Sequence, residues 1–382
     1  MKSEKWLRIF SIALAFLLLV LLLLVLILDP YLHFHKPLTD TFYYCLDNER
    51  YVGNGILRNM DYDALITGTS MAQNFNKTDA DRFFGTDSVK VTFAAASYYE
   101  INNNIASALE YNPGLKTVIR CLDYAVIIDD ADRMVLTGND YPDYLYDDNV
   151  FNDVKYVYNT DVIFGKVYRM FKEKLLFSSF SPGITDFDSY ANWMDEESFV
   201  FGPNELCSDL SGDLNVRGEP QLLSDGERQK VIENVRNNIT ELADRYPDTE
   251  FYYFFSPYSA VWWQMMNSQG LTEKYIEAEE IAIEEILLHE NIKLYSFNTV
   301  SDITLDLNNY KDSVHYGEWV NTLILKWMSE DVGRLTEDNY KAYLDEELEM
   351  YSSFDYNSLR SQPDWEDPYT AAELLNEKYA FK

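Results

Sequence analysis

The chain's patterning predicts an α/β fold with a mostly parallel five-stranded sheet, a large insertion and an N-terminal transmembrane helix. Three observations carry this. Five short runs rich in β-branched and aromatic residues are separated by helix-like segments, and strand alternating with helix builds parallel sheets. A stretch of about a hundred residues interrupts the alternation between the third and fourth runs. Ahead of them all stands a run of twenty residues without a charge, Ile9 to Leu28, whose single polar member is Ser11.

The elements follow in order. A helix over 9–28 would be roughly 30 Å long at ~1.5 Å per residue, the thickness of a bilayer's hydrocarbon. Lys2, Lys5 and Arg8 precede it and Asp29-Pro30 follows. The bias of basic residues toward the cytoplasm therefore assigns residues 1–8 to the cytoplasm and all beyond 29 to the outside. A cleaved signal peptide would have a shorter apolar part and a small-x-small cleavage site, and LILDPYLHF has none. The chain thus reads as a single-pass protein of the cell membrane. Residues 29–60 form an aromatic-rich connector in which His33 and His35 have no nearby carboxylate or cysteine to complete a metal set. The strands are ALIT (64–67), SVKVTF (88–93), KTVIRCL (116–122), TEFYYFF (249–255) and IKLYSF (292–297). Helices are predicted over 78–84, 99–111, 225–245, 272–289 and 316–352, with a less regular tail after 353. Residues 61–123 and 223–335 form the α/β domain. Residues 124–222 form a Tyr- and Asp-rich insertion or cap over the sheet edge, and 336–382 a helical extension and tail. Within the insertion Phe164, Val167, Tyr168, Phe171 and Leu175 share one helical stripe.

Composition narrows function. With 47% apolar residues the chain buries a substantial core. Its net charge of −33 becomes −35 once residues 1–8, with three basic residues and one acidic, are set aside. Such a chain repels nucleic acid and anionic lipid surfaces. Cys45, Cys121 and Cys207 are too few and too scattered for a disulfide framework or a zinc site. Asn76-Lys-Thr78 and Asn238-Ile-Thr240 match glycosylation acceptors. Arg120 is expected to pair with a neighbouring Asp, and His289 to complement a helix C-terminus.

Chemistry concentrates at two places. Gly68-Thr69-Ser70 ends the first strand, and Asp312 stands three residues before His315 after the last. In parallel sheets reactive groups collect beyond the carboxyl ends of the strands. A serine becomes a nucleophile beside an imidazole whose far nitrogen a carboxylate holds, and a D-x-x-H loop lets the carboxylate reach its own histidine. Tyr258, Trp262 and Trp263 in SPYSAVWWQMM are candidates for stacking on sugars or lining an acyl pocket; packing in the core is the equal alternative.

Gly-Thr-Ser after the first strand with Asp-x-x-His after the last resembles the SGNH/GDSL hydrolase superfamily. The membrane-anchored layout is similar to its branches that act on cell-envelope polymers, in polysaccharide O-acetylation and teichoic-acid D-alanyl transfer. The resemblance covers roughly 61–123 and 249–335. It implies a flavodoxin-like three-layer sandwich, Ser70 as nucleophile, His315 as base, Asp312 as orienting acid, and no cofactor or metal. The implied activity is acyl-ester transfer or hydrolysis on a cell-envelope polysaccharide or teichoic-acid-like polymer. For a transferase, a multi-span membrane acyltransferase partner is implied as well. This sequence departs from the family pattern. Thr69 replaces the usual Asp or Ser, and FAAASYYE lacks the oxyanion glycine, leaving the N–H groups of Ser70, Ala96 and Ser97 as candidates. Asp123 stands where an oxyanion asparagine is expected, and Gly138-Asn139-Asp140 lies too far along to replace it. The alternative reading is a catalytically inactive scaffold of the same fold that binds polymer or partner proteins.

Overall fold

The computed structural model describes residues 2–136, 141–177, 180–195, 199–208, 211–365, 367 and 369–379. They divide into two compact units, residues 1–61 with 136–186, and residues 62–135 with 187–382. Residues 124–222 are therefore shared between the two.

The first unit opens with helix α1 (Lys2–Leu28), the one helix among the described residues long and apolar enough to cross a membrane. It ends where Asp29 turns its carboxylate onto the N–H groups of His33, Phe34 and His35. Tyr156 Oη donates to the same carboxylate at 2.8 Å, so this buried charge is fully hydrogen-bonded. His33 Nε2 meets Asp153 at 3.0 Å, and His35 faces backbone carbonyls of Leu26 and Lys36. Helix α2 (Glu49–Asn59) lies in the predicted connector, and Tyr43–Tyr44 pairs in parallel with Gly183–Ile184. The helical stripe in this unit does not face a core throughout. Val167 is buried and Phe171 packs on Phe42, whereas Phe164, Tyr168 and Leu175 point outward.

The second unit is α/β. Its strands β1 (Ala64–Gly68), β2 (Ser88–Thr92), β3 (Thr117–Leu122), β4 (Glu250–Phe255) and β5 (Ile292–Ser296) pair in the order β2-β1-β3-β4-β5, all parallel. Every residue of β1, β2 and β3 is buried, so both faces of the sheet are covered. The order reverses beside β1, the position at which parallel sheets collect reactive groups beyond the carboxyl ends of their strands. Around the sheet lie α3 (Lys77–Phe84), α4 (Tyr98–Tyr111), α5 (Asp225–Val235), α6 (Ala260–Gln269), α7 (Thr272–Ile286), α8 (Glu318–Ser329), α9 (Tyr340–Ser353) and α10 (Tyr369–Tyr379). Helix α10 gives the tail more regularity than its composition predicts.

The expected helix over 225–245 is interrupted by a π-turn at Arg236–Thr240. Arg120 bonds into this turn: its guanidinium is fully buried between the rings of Tyr98 and Tyr253 and donates to the Asn238 carbonyl at 2.5 Å. Among the described residues Arg120 makes no ion pair with an Asp. Asn238 is itself buried, its amide donating to Ala131 and Asn234, and so cannot accept a glycan. His289 pairs with Asp244 at 2.8 Å. The three cysteines are free.

Helices α7 and α9 meet over a fully buried pair of carboxyls, Glu279 and Glu347, with Tyr124 Oη 2.5 Å from the first and 3.4 Å from the second. Burial pushes Glu279 up to about 8, and burial together with its neighbour's like charge pushes Glu347 up as well. A carboxyl whose folded pKa is raised stabilises the fold while protonated. That contribution is lost as pH rises from the ordinary glutamate range through about 8. Glu347→Gln keeps the shape without the charge. It is expected to flatten the alkaline fall in thermal stability, retaining on the order of 1–3 kcal/mol that the native chain loses. Melting curves across that range check this; parallel losses in both proteins would refute it.

Candidate active site

Strand β1 is pinned between β2 and β3 and delivers its last residue, Gly68, to the sheet edge with φ +151°. The chain then turns sharply into a short 3₁₀ turn, Ser70–Ala72. Thr69, not Ser70, caps that turn: its Oγ1 accepts from Met71 N–H at 3.2 Å and donates to Asp123 Oδ2 at 2.6 Å. Ser70 is left half-exposed with its side chain unused by the backbone. The buried Lys90 ammonium holds the far side of the turn through the carbonyls of Gln73 and Phe75, and Asn321 holds the Met71 carbonyl.

The second half comes from the loop before α8. Tyr310 and Tyr316 bridge in antiparallel fashion, and Lys311 N–H donates to the His315 carbonyl. Inside this loop Asp312 accepts the N–H groups of Val314 and His315 at 2.9 and 2.8 Å. Both N–H and Oγ of Ser259, beyond β4, donate to the Ser313 carbonyl and tie the loop to the sheet edge. His315 Nδ1 lies 2.8 Å from Asp312 Oδ2, and His315 Nε2 lies 2.7 Å from Ser70 Oγ. Residues 245 positions apart thus form one hydrogen-bonded chain of hydroxyl, imidazole and carboxylate. Partial burial pushes the Asp312 carboxyl up, but the bonds from His315 and the two N–H groups outweigh it. The group is held below the ordinary carboxylate range and remains an anion. Such a chain can draw the hydroxyl proton onto Nε2 while the carboxylate steadies the resulting imidazolium.

Other sequence-based candidates fall differently. Ala96 N–H donates to the Phe93 carbonyl and Ser97 N–H to Glu100 in a capping box, so neither is available to an oxyanion. Among the described residues the Ala95 N–H donates to no atom; Ala95 is exposed and at φ +54°, a left-handed conformation uncommon for a residue other than glycine. Ala95 lies just beyond β2, whose Thr92 pairs with Gly68. Ser70 N–H likewise donates to no atom of the described residues. Asp123 is buried, with Thr69, Tyr258 and Cys121 all directing donors to its carboxylate. It braces the Ser70 turn from behind. Tyr258, Trp262 and Trp263 line no rim: they are buried with Tyr124 and Tyr275 in an aromatic cluster. Gly138–Asp140 lies outside the described residues. The described residues hold no cluster with metal-ligand composition.

One neighbour had no signal in the sequence. Trp193 reaches the site from a distant segment. Its indole N–H donates to the Ser70 carbonyl at 3.3 Å, its ring stands edge-on to His315, and Lys311 Nζ lies 3.8 Å above it.

No family model and no curated protein matches this chain. Among solved structures, a chain from Streptococcus pneumonia described as a "platelet activating factor" is similar with a TM-score of 0.35 and 11% identity. The match covers 78% of this chain and 91% of that one.

Proposed function

We propose that this chain is a membrane-anchored serine acyl-ester enzyme of the SGNH type, acting outside the cell on an acylated envelope polysaccharide or teichoic-acid-like polymer. The observation that carries the reading is the Ser70–His315–Asp312 hydrogen-bonded chain at the carboxyl end of a parallel sheet. The strand order 2-1-3-4-5 supports a flavodoxin-like three-layer arrangement. Lys2, Lys5 and Arg8, in the first turns of α1 ahead of its apolar stretch, support a cytoplasmic N-terminus.

In the proposed reaction Ser70 Oγ attacks the acyl carbonyl and its proton passes to His315 Nε2. The N–H groups of Ser70 and Ala95 are the donors for the oxyanion. The tetrahedral adduct collapses, the C–O bond to the donor alcohol breaks, and His315 returns the proton to that alcohol. Water, or a sugar hydroxyl in transfer supplied by a multi-span membrane acyltransferase, then gives its proton to His315 and attacks the acyl carbon; the bond to Ser70 Oγ breaks and His315 returns the proton to Ser70.

The test is to follow the acyl group. With acetylated polysaccharide and an acceptor glycan, wild type is expected to give an acetyl-Ser70 intermediate by peptide mass, then either free acetate or an acetylated acceptor. The first product defines an esterase and the second a transferase. A folded protein giving neither intermediate nor product favours a binding scaffold and defeats the proposal.

A further inference from the structure

We infer that the first unit is seated in the outer leaflet of the bilayer that α1 crosses, as a wedge of apolar side chains beside its own anchor. The inference rests on the membrane-spanning reading of α1. Tyr158 Oη donates to the Leu18 carbonyl at 3.2 Å. Leu18 lies ten residues before the end of α1, about 15 Å along the helix at 1.5 Å per residue. The turns Val154–Val157 and Asp161–Val167 also run against α1. Protein outside the anchor therefore extends well down the flank of its apolar stretch.

The side chains displayed there suit lipid. Phe151 is 87% exposed, Phe164 69% and Leu175 75%, with Tyr168, Leu176 and Phe177 also more than half exposed. Soluble proteins rarely display so many large apolar groups within one short segment. Charge points the same way. Residues 154–177 carry five basic residues against Asp161 and Glu173, in a chain whose net charge is −33. Lys166 pairs with Asp47 and Arg169 with Glu173, so Lys155, Lys172 and Lys174 are the cations outside those pairs. Aromatic and aliphatic groups interleaved with Lys and Arg form the pattern of an interfacial segment drawn to anionic headgroups. The occupant of this face is a lipid leaflet carrying negative headgroups, which Lys155, Lys172 and Lys174 would meet.

The test uses the full chain in nanodiscs with Cys45→Ser and Cys207→Ser, and a polarity-sensitive probe on Phe164→Cys, Leu175→Cys or Leu18→Cys. Melting curves confirm that each variant folds. The expected result is blue-shifted emission and strong quenching by acyl-chain-brominated lipid at all three sites. Lys172→Glu with Lys174→Glu should at least halve the quenching at 164 and 175 in phosphatidylglycerol discs. Quenching at 18 but not at 164 or 175 overturns the wedge and leaves the membrane crossing intact. No quenching at 18 removes both. A blue shift at 164 and 175 without quenching means that protein, such as a second copy or a membrane partner, covers the face, and also overturns the inference.

Discussion

Ser70→Ala is expected to abolish covalent labelling by a fluorophosphonate and to lower ester turnover by roughly 10⁴–10⁶-fold. The probe reacts only with an activated hydroxyl, and Ser70 Oγ has an imidazole nitrogen at 2.7 Å. Asp312→Asn separates orientation from mere presence. Asparagine's carbonyl can still accept the Val314 and His315 N–H groups, so the loop should keep its shape. Its amide would then face Nδ1 as a donor and favour the tautomer that leaves Nε2 protonated. A loss of about 10⁴ in turnover near neutral pH is expected, with thermal stability little changed. Labelling that survives in Ser70→Ala would end the catalytic assignment. Wild-type turnover in Asp312→Asn would remove Asp312 from it.

Much of this architecture is legible in the sequence where periodicity and burial say the same thing. All five strands fall within a residue or two of the runs that predict them, because continuous apolar stretches bounded by polar turns have few other uses. The hydroxyl and the imidazole–carboxylate couple are legible for a topological reason, since first and last strands of a parallel sheet send their loops to one edge. What stays hidden depends on long-range packing. Trp262 and Trp263 look the same in sequence whether they line a rim or fill a core, and only the surrounding aromatic cluster decides. Trp193 lies 123 residues from the Ser70 carbonyl it bonds, with nothing local to mark it. The π-turn at Arg236–Thr240 receives a guanidinium from a strand 118 residues away. The stripe at 164–175 has helical periodicity, but periodicity alone does not distinguish an apolar face meant for a core from one meant for lipid.

Gly68→Ala carries the second large expectation, because one added methyl group meets two obstacles. At φ +151° an L side chain crowds the backbone, which costs on the order of 1–3 kcal/mol. The new Cβ would also fall on Cys121 Sγ and lie 2.9 Å from Ala72 Cβ, inside the turn that carries Ser70. That turn is held by Thr69, Lys90 and Asn321 rather than by freely adjustable solvent contacts. Strain at Gly68 is therefore expected to displace Ser70 rather than dissipate. A shift near 1 Å at a reacting atom can cost about 10²-fold, so fluorophosphonate labelling should slow by roughly that factor while the protein still folds. Cys121→Ala added to Gly68→Ala removes the sulfur but leaves φ and Ala72 unchanged. The double variant should regain part of the lost melting temperature and only a minor part of the labelling rate. Wild-type labelling in Gly68→Ala would mean that the Ser70 turn is not rigid, and full recovery in the double variant would leave the sulfur contact as the whole cause.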